Sequence, residues 1–147
     1  MDKLKNLSRL LQRVYNGKAW HGPSIIEVLG DVTEETAVKR AGESHSIVQL
    51  VLHMIAWRTF VTRRLLGDHK YEVSDRDNFP EQIQWKDTLA KLQASQDALI
   101  KVIEEFPDAQ LNDVVANREF DFYVLIHGLI HHDLYHLGQI QLIKKYL

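Results

Sequence analysis

Residues 126–140, Ile-His-Gly-Leu-Ile-His-His-Asp-Leu-Tyr-His-Leu-Gly-Gln-Ile, contain four of the eight histidines of the chain. The apolar residues around them recur at the spacing of a long helix, which we predict to span residues 122–147. Five residues lie within roughly 60° of Leu125 on a helical wheel and continue its apolar stripe: Leu129, His132, His136, Ile140 and Ile143. His127 and His131 lie on the opposite side, so the sequence predicts one inward-facing and one outward-facing histidine pair.

The inward-facing pair has the spacing of half a metal site. His132 and His136 are four positions apart, which places their Cβ atoms about 5–6 Å from each other on one helix face. Two imidazoles at that separation can share one metal ion through Zn–N bonds of roughly 2.0–2.1 Å. His53 is a third candidate ligand, because it lies in line with Leu50 and Trp57 on the apolar stripe of an earlier helix. A shared divalent cation would satisfy all three imidazoles, and the alternative is a polar core in which each is hydrogen-bonded separately.

Apolar spacing elsewhere predicts three more long helices. They span about residues 3–15, residues 44 or 46 to 66, and residues 81–106. The polar stretch of residues 68–80 is too long for a tight hairpin and favours a crossover between distant helices. No segment shows the period-two alternation of a strand. The pattern therefore indicates an all-α fold and a four-helix bundle.

Composition limits the classes of function. The 147 residues match the size of one domain, and we treat residues 1–147 as a single unit. Eighteen basic residues against 20 acidic ones give a net charge of −2, which disfavours nucleic acid as a partner. The absence of cysteine excludes thiolate ligands and a cysteine nucleophile. No apolar run reaches the length of a membrane span, and the amino end has no secretion-signal pattern, so a cytoplasmic location is expected.

Three stretches of the chain resemble the DinB superfamily of four-helix-bundle metalloproteins. The string from Ile126 to Ile140 resembles that family's H-D-x-Y-H-x-G-Q-I signature. The string from His45 to Trp57 resembles the helix that carries the family's first metal ligand, and Trp-His-Gly-Pro-Ser at residues 20–24 resembles a segment of one branch. The matches follow the family's order over nearly the whole chain.

The resemblance implies an up-down-down-up bundle with a long crossover between the second and third long helices. It implies a divalent metal, with Zn or Ni expected first and Fe, Mn or Cu also compatible with imidazole ligands. The implied ligands are His53, His132 and His136, the residues that the helical wheels select. Homodimers are frequent in the family, and its members include metal-dependent hydrolases and transferases that use low-molecular-weight thiols. A small-molecule substrate is therefore expected, acted on at an open coordination position of the metal.

Five further residues are candidates for the surroundings of the site. Asp133 and Gln139 are expected to orient a ligand imidazole or line the cavity, although each also suits a solvated or capping position. Tyr135 can donate to a metal-bound group or simply pack. Trp57 is expected in the core. His21 and Trp20 lie on a loop that is expected either to cover the cavity mouth or to cap the core through Trp20.

Two functions from different classes stay open at this stage. The first is a metal-dependent hydrolase or thiol transferase. The second is a non-enzymatic bundle that dimerises or binds a small apolar ligand, with a structural or vestigial histidine cluster. Arg58, Arg63 and Arg64 form a short basic cluster that is expected on a solvated helix face.

Overall fold

Residues 3–147 are described by a computed structural model, and within them the chain forms helices and loops without a strand. Seven α-helices and one 3₁₀ turn follow in chain order: α1 Lys3–Asn16, α2 Ile25–Leu29, α3 Glu34–Val38, α4 Ile47–Leu65, α5 Asp75–Asn78, α6 Trp85–Glu105, the turn Asp108–Gln110, and α7 Phe122–Lys144. The four long helices are α1, α4, α6 and α7, so the predicted all-α class is confirmed. In this part of the chain no helix has the length and hydropathy needed to cross a bilayer.

Two helices that matter for the site begin at side-chain caps. Ser46 caps α4, since its hydroxyl accepts a hydrogen bond from the Gln49 amide and the Gln49 side chain accepts one from the Ser46 amide. Asp121 caps α7 by accepting from the Val124 amide at 2.8 Å. Caps of this kind stabilise a helix by about 1 kcal/mol and fix the residue at which it starts.

The third long helix starts later than the apolar pattern predicts. The pattern extends it back to residue 81, whereas α6 begins at Trp85. The Trp85 amide donates to both carboxylate oxygens of Glu34, at 2.8 and 3.0 Å, and the Trp85 indole donates to the Val32 carbonyl. The amino end of α6 is thus capped by Glu34, a side chain distant in sequence. The residues next to Trp85 in the chain therefore do not indicate where the helix begins.

The four long helices contact one another as a closed ring, in which α1 and α4 each pack against both α6 and α7. Bonds between Ser8 and Glu104 and between Tyr15 and Gln93 show that α1 and α6 are antiparallel. His53 of α4 contacts His136 of α7, whereas residues 60 and 61 line one pocket with residues 124 and 125, so α4 and α7 are also antiparallel. These contacts favour the up-down-down-up order, which stays a prediction.

The expectation of a solvated arginine cluster is wrong for two of its three members. Arg58 and Arg64 are almost completely buried, and only Arg63 is exposed. Arg58 pairs with the fully buried Asp133 of α7 at 2.7 Å and also donates to Gln96 of α6. One-dimensional charge patterning cannot detect this, because the partners lie 75 and 38 positions away.

The Arg58–Asp133 ion pair ties α4 to α7 inside the bundle. Burial raises the pKa of Asp133 to about 6, against the lowering effect of the Arg58 guanidinium. At 2.7 Å the guanidinium keeps the carboxylate ionised at neutral pH. A charge in this position is tolerated only because its partner is present.

We therefore expect Arg58→Met to destabilise the protein by about 3–5 kcal/mol, because Asp133 is left buried without a counterion. The double change Arg58→Met with Asp133→Leu should recover most of that loss. Urea denaturation at pH 7 measures both. The exposed pair of Lys39 and Glu35 provides a control, since Lys39→Met should cost no more than about 0.5 kcal/mol. An Arg58→Met protein within about 1 kcal/mol of the parent would contradict this account.

Candidate metal centre

Three histidines from two helices converge in the interior of the bundle. His53 of α4 and His132 of α7 approach each other with their Nε2 atoms 3.0 Å apart, and the Nε2 atoms of His132 and His136 are 3.1 Å apart. His53 and His136 are buried and His132 is half-buried. One ligand atom from each residue lies within 4.8 Å of the others, so the three-histidine site can hold a metal ion.

Two of the three imidazoles are oriented through their other ring nitrogen. His53 Nδ1 lies 2.7 Å from the carbonyl oxygen of Asn78, and His136 Nδ1 lies 2.6 Å from Gln139 Oε1. Because a carbonyl oxygen only accepts, each Nδ1 carries the hydrogen and donates it. The Nε2 lone pairs of both rings are therefore available, and they face His132. This is the arrangement in which an oxygen acceptor fixes the tautomer of a metal-ligating histidine.

The donor set fits a cation better than it fits a hydrogen-bonded cluster. With His53 and His136 protonated on Nδ1, a single hydrogen on His132 Nε2 can serve only one of two neighbours at 3.0 and 3.1 Å. Some lone pairs are then left facing each other in a buried site. Nitrogens bound to one tetrahedral Zn²⁺ at 2.0–2.1 Å lie about 3.3–3.4 Å apart, so the two pairs that lie at 3.0 and 3.1 Å would open by only a few tenths of an ångström around an ion.

The crossover between α4 and α6 forms one wall of the site. Asn78 at the end of α5 accepts from His53 through its carbonyl oxygen and from the Trp57 indole through its side chain. The next residue, Phe79, stacks on the His53 ring with centroids 4.3 Å apart, and His45 stacks on the other face of Phe79 at 4.0 Å. Short as it is, α5 therefore sets the position of the His53 ring.

Sequence reasoning missed Asn78, Phe79 and the Arg58–Asp133 pair. Asn78 and Phe79 lie in a polar connection with no periodicity, and the key acceptor is a backbone carbonyl, which any residue could supply. The only local signal is the sequence Asn78-Phe79-Pro80, where a large apolar residue precedes proline in an otherwise polar stretch. That pattern marks a point at which the crossover returns to the core.

The residues predicted to surround the site differ in whether they contact its histidines. Gln139 contacts a ligand imidazole, as described above for His136. Asp133 contacts Arg58 instead of a histidine. Tyr135 is two-thirds exposed, with its ring 5.0 Å from that of His136. Trp57 is partly buried and packs against the hydrophobic core.

The remaining histidines lie outside the three-histidine site. His127 and His131 lie on the outward side of α7 with their rings 5.9 Å apart and tilted, and His127 bonds to the Tyr123 hydroxyl. His21 is exposed and its Nε2 lies 3.1 Å from the Pro23 carbonyl within its own loop. The neighbouring Trp20 is fully exposed, so the alternative in which Trp20 caps the core is wrong.

Burial lowers the pKa of every imidazole in the site. The pKa of His132 falls to about 3, first because of desolvation and then because of His136, His53 and Arg58 nearby. Desolvation also lowers the pKa of His53 and of His136, although their oxygen partners act in the opposite direction. Neutral imidazoles are the form that binds a metal, so the protein keeps the ligands ready at neutral pH.

These shifts predict a pH dependence of the metal-free protein. Below pH 6.5 an unfolded chain protonates His132, whereas the folded protein resists until about pH 3. The unfolded state then binds more protons, so the free energy of unfolding falls as the pH drops through this window, by at most about 1.4 kcal/mol per unit. His132→Gln should lose less stability between pH 7.5 and 5 than the parent. Asp133, whose raised pKa acts in the opposite direction, is common to both proteins. Parallel stability curves in urea titrations would contradict the prediction.

Comparison with known proteins identifies the family of the chain. The family model described as the DinB superfamily matches residues 20–140, which include all three histidines of the site. Neither the curated proteins nor the solved structures show a significant match. The family match covers most of the chain, and the chain belongs to the DinB superfamily.

Proposed function

We propose that the protein is a metal-dependent enzyme that acts on a small molecule at His53, His132 and His136. The observation that carries the proposal is the convergence of three Nε2 atoms, two of them on rings whose Nδ1 hydrogens are held by oxygen acceptors. Three protein ligands are typical of catalytic zinc, which keeps a further position for substrate, whereas structural zinc has four. Zn or Ni is the proposed ion, because imidazole is a good ligand for both.

The reaction we propose is the attack of water or of a low-molecular-weight thiol on a small electrophile. A divalent cation in this site would lower the pKa of a coordinated water or thiol and so supply a nucleophile near neutral pH. His53, His132 and His136 would hold the ion, and Gln139 and the Asn78 carbonyl keep two of these rings in place. Asp133 is engaged by Arg58, so we assign it a structural role and not that of a general base.

The first experiment measures metal content and its dependence on the three ligands. We expect the protein loaded with Zn or Ni and then desalted to retain one equivalent per chain, and His132→Ala to retain far less. His131→Ala is the matched control, because it removes the adjacent histidine from the outward side of the same helix. Sub-stoichiometric metal in the loaded parent would refute the proposal.

The second experiment tests the chemistry. The loaded protein is offered cysteine with 1-chloro-2,4-dinitrobenzene, where the new C–S bond forms as chloride leaves and the thiol proton goes to solvent. A parallel assay follows hydrolysis of p-nitrophenyl acetate. Activity in one assay that is lost in His132→Ala and kept in His131→Ala supports the proposal and identifies the nucleophile. Equal rates for the parent and His132→Ala in both assays would count against it.

Gln139 provides a test of how the ligands are oriented. Gln139→Ala removes the acceptor for His136 Nδ1, and loss of such a partner lowers metal affinity by about 10- to 100-fold. Gln141→Ala is the control, since Gln141 is exposed on the same helix. Competition with a chromophoric chelator measures both affinities. Equal metal affinity of the Gln139→Ala protein and the parent would show that the hydrogen bond from His136 to Gln139 does not contribute to metal binding.

A non-enzymatic dimeric bundle is the second candidate. It is favoured by exposed apolar side chains along α7, among them Val124, Tyr135 and Leu142. In that case metal would raise the melting temperature, as any ligand of the folded state does, while added thiols would leave the spectrum of a cobalt-loaded sample unchanged. Sedimentation would then show a dimer without catalysis.

A further inference from the structure

An apolar pocket adjoins the three-histidine site. Its volume is about 380 Å³, and its walls come from α4, α7 and the loop before α7. Its lining is mainly apolar, with three aromatic side chains, Trp57, Phe60 and Phe120, and four aliphatic ones. The other lining residues are Arg118, Gly128 and His132.

His132 connects the pocket to the metal centre. Its Nε2 faces His53 and His136, while the same side chain forms part of the pocket wall. Trp57 also belongs to both, because its indole donates to Asn78, whose carbonyl orients His53. A second cavity of about 400 Å³, between α1 and α6, is lined mainly by amide and charged side chains and includes none of the three histidines.

The pocket suits an uncharged group. Arg118 is the one charged residue among those that line the pocket, and its guanidinium is bound to Glu72 at 2.6 Å and lies 5.3 Å from the centre of the Phe60 ring. Glu72 is shared with Arg64. Pockets of 300–1,000 Å³ that combine apolar walls with a few polar groups are typical of small-molecule sites. Apolar cavities of about 150 Å³ already admit benzene.

We propose that this pocket binds the apolar part of the substrate, an aromatic ring or a branched aliphatic group, while its reacting atom lies at the metal centre. The inference rests on the proposed function, because it assumes that the three-histidine site is the reaction centre. It adds a substrate class to that function: small molecules that carry a compact uncharged apolar group next to the atom that reacts.

Gly128 allows the pocket to be filled without disturbing the core. A Cβ added at Gly128 meets no heavy atom within 4 Å, and the residue lies in mid-helix, where replacing glycine favours the helix by up to about 1 kcal/mol. Gly138 of the same helix also has open space at its Cβ, but it does not line the pocket. Gly128→Leu and Gly138→Leu are therefore a matched pair.

The first arm of the test uses metal-free protein, so it does not depend on the metal proposal. Benzyl alcohol is titrated into ¹⁵N-labelled protein in the presence of a chelator. We expect saturable shifts of the Gly128 amide, unchanged Gly138 shifts, and loss of binding in Gly128→Leu but not in Gly138→Leu. Shifts that map to the α1–α6 cavity, or no shifts at millimolar probe, would overturn the inference and leave the metal proposal intact.

The second arm links the pocket to the metal centre. Cobalt-loaded protein is titrated with benzyl mercaptan and with 2-mercaptoethanol, and the visible spectrum reports binding. We expect benzyl mercaptan to bind at least about tenfold more tightly, from burial of its ring, and the ratio to collapse in Gly128→Leu but not in Gly138→Leu. An equal change of the ratio in both variants would overturn the inference.

Two further outcomes are decisive. If neither thiol changes the cobalt spectrum while benzyl alcohol still shifts Gly128, the thiol form of the proposed function fails, and the link between pocket and metal centre fails with it. If the pocket instead receives a side chain of a second copy, sedimentation will show a dimer that Gly128→Leu dissociates, and the substrate assignment is overturned.

Discussion

The site depends on the antiparallel contact between α4 and α7, which sets three imidazoles against each other inside the bundle. Burial disfavours their charged forms, and two oxygen acceptors direct the Nδ1 hydrogens outward. The Nε2 lone pairs of His53 and His136 are thereby directed at His132, whose single ring hydrogen can satisfy only one of them. A cation bound between the three rings would satisfy these nitrogens, and the fold holds the rings in the position that such binding requires.

Two structural features keep that contact in place. The Arg58–Asp133 ion pair joins α4 and α7 beside the histidines, and Asp133 directly follows the ligand His132 in the chain. The crossover holds the opposite side, where Phe79 stacks on His53 and Asn78 accepts its hydrogen. The site is thus supported from within the helix pair and from the connection that closes over it. A short segment that looks like a loop in sequence therefore has a direct role in orienting a ligand.

The scaffold and the three donors were predictable from the sequence because both follow from local periodicity. Apolar spacing locates the four long helices, and the position of His132 and His136 on the stripe of α7 indicates that they face inward. The supporting contacts were not predictable in this way. Arginine is a residue type that usually lies at the surface, and the burial of Arg58 depends on partners on two other helices. The start of α6 depends on Glu34, which is distant in sequence, and the orientation of His53 depends on a backbone carbonyl, which every residue has. Neither contact can therefore be recognised from the sequence pattern. The pocket beside His132 arises from the packing of α4, α7 and a loop, which periodicity does not describe.

The most direct test of the account is a crystal structure of the Zn- or Ni-loaded protein with anomalous data collected above and below the metal absorption edge. The account predicts one strong anomalous peak within about 2.0–2.2 Å of the Nε2 atoms of His53, His132 and His136. His53 Nδ1 should still contact the Asn78 carbonyl, and His136 Nδ1 should still contact Gln139. A map with no peak there, and with the three rings turned to separate hydrogen-bond partners, would contradict it.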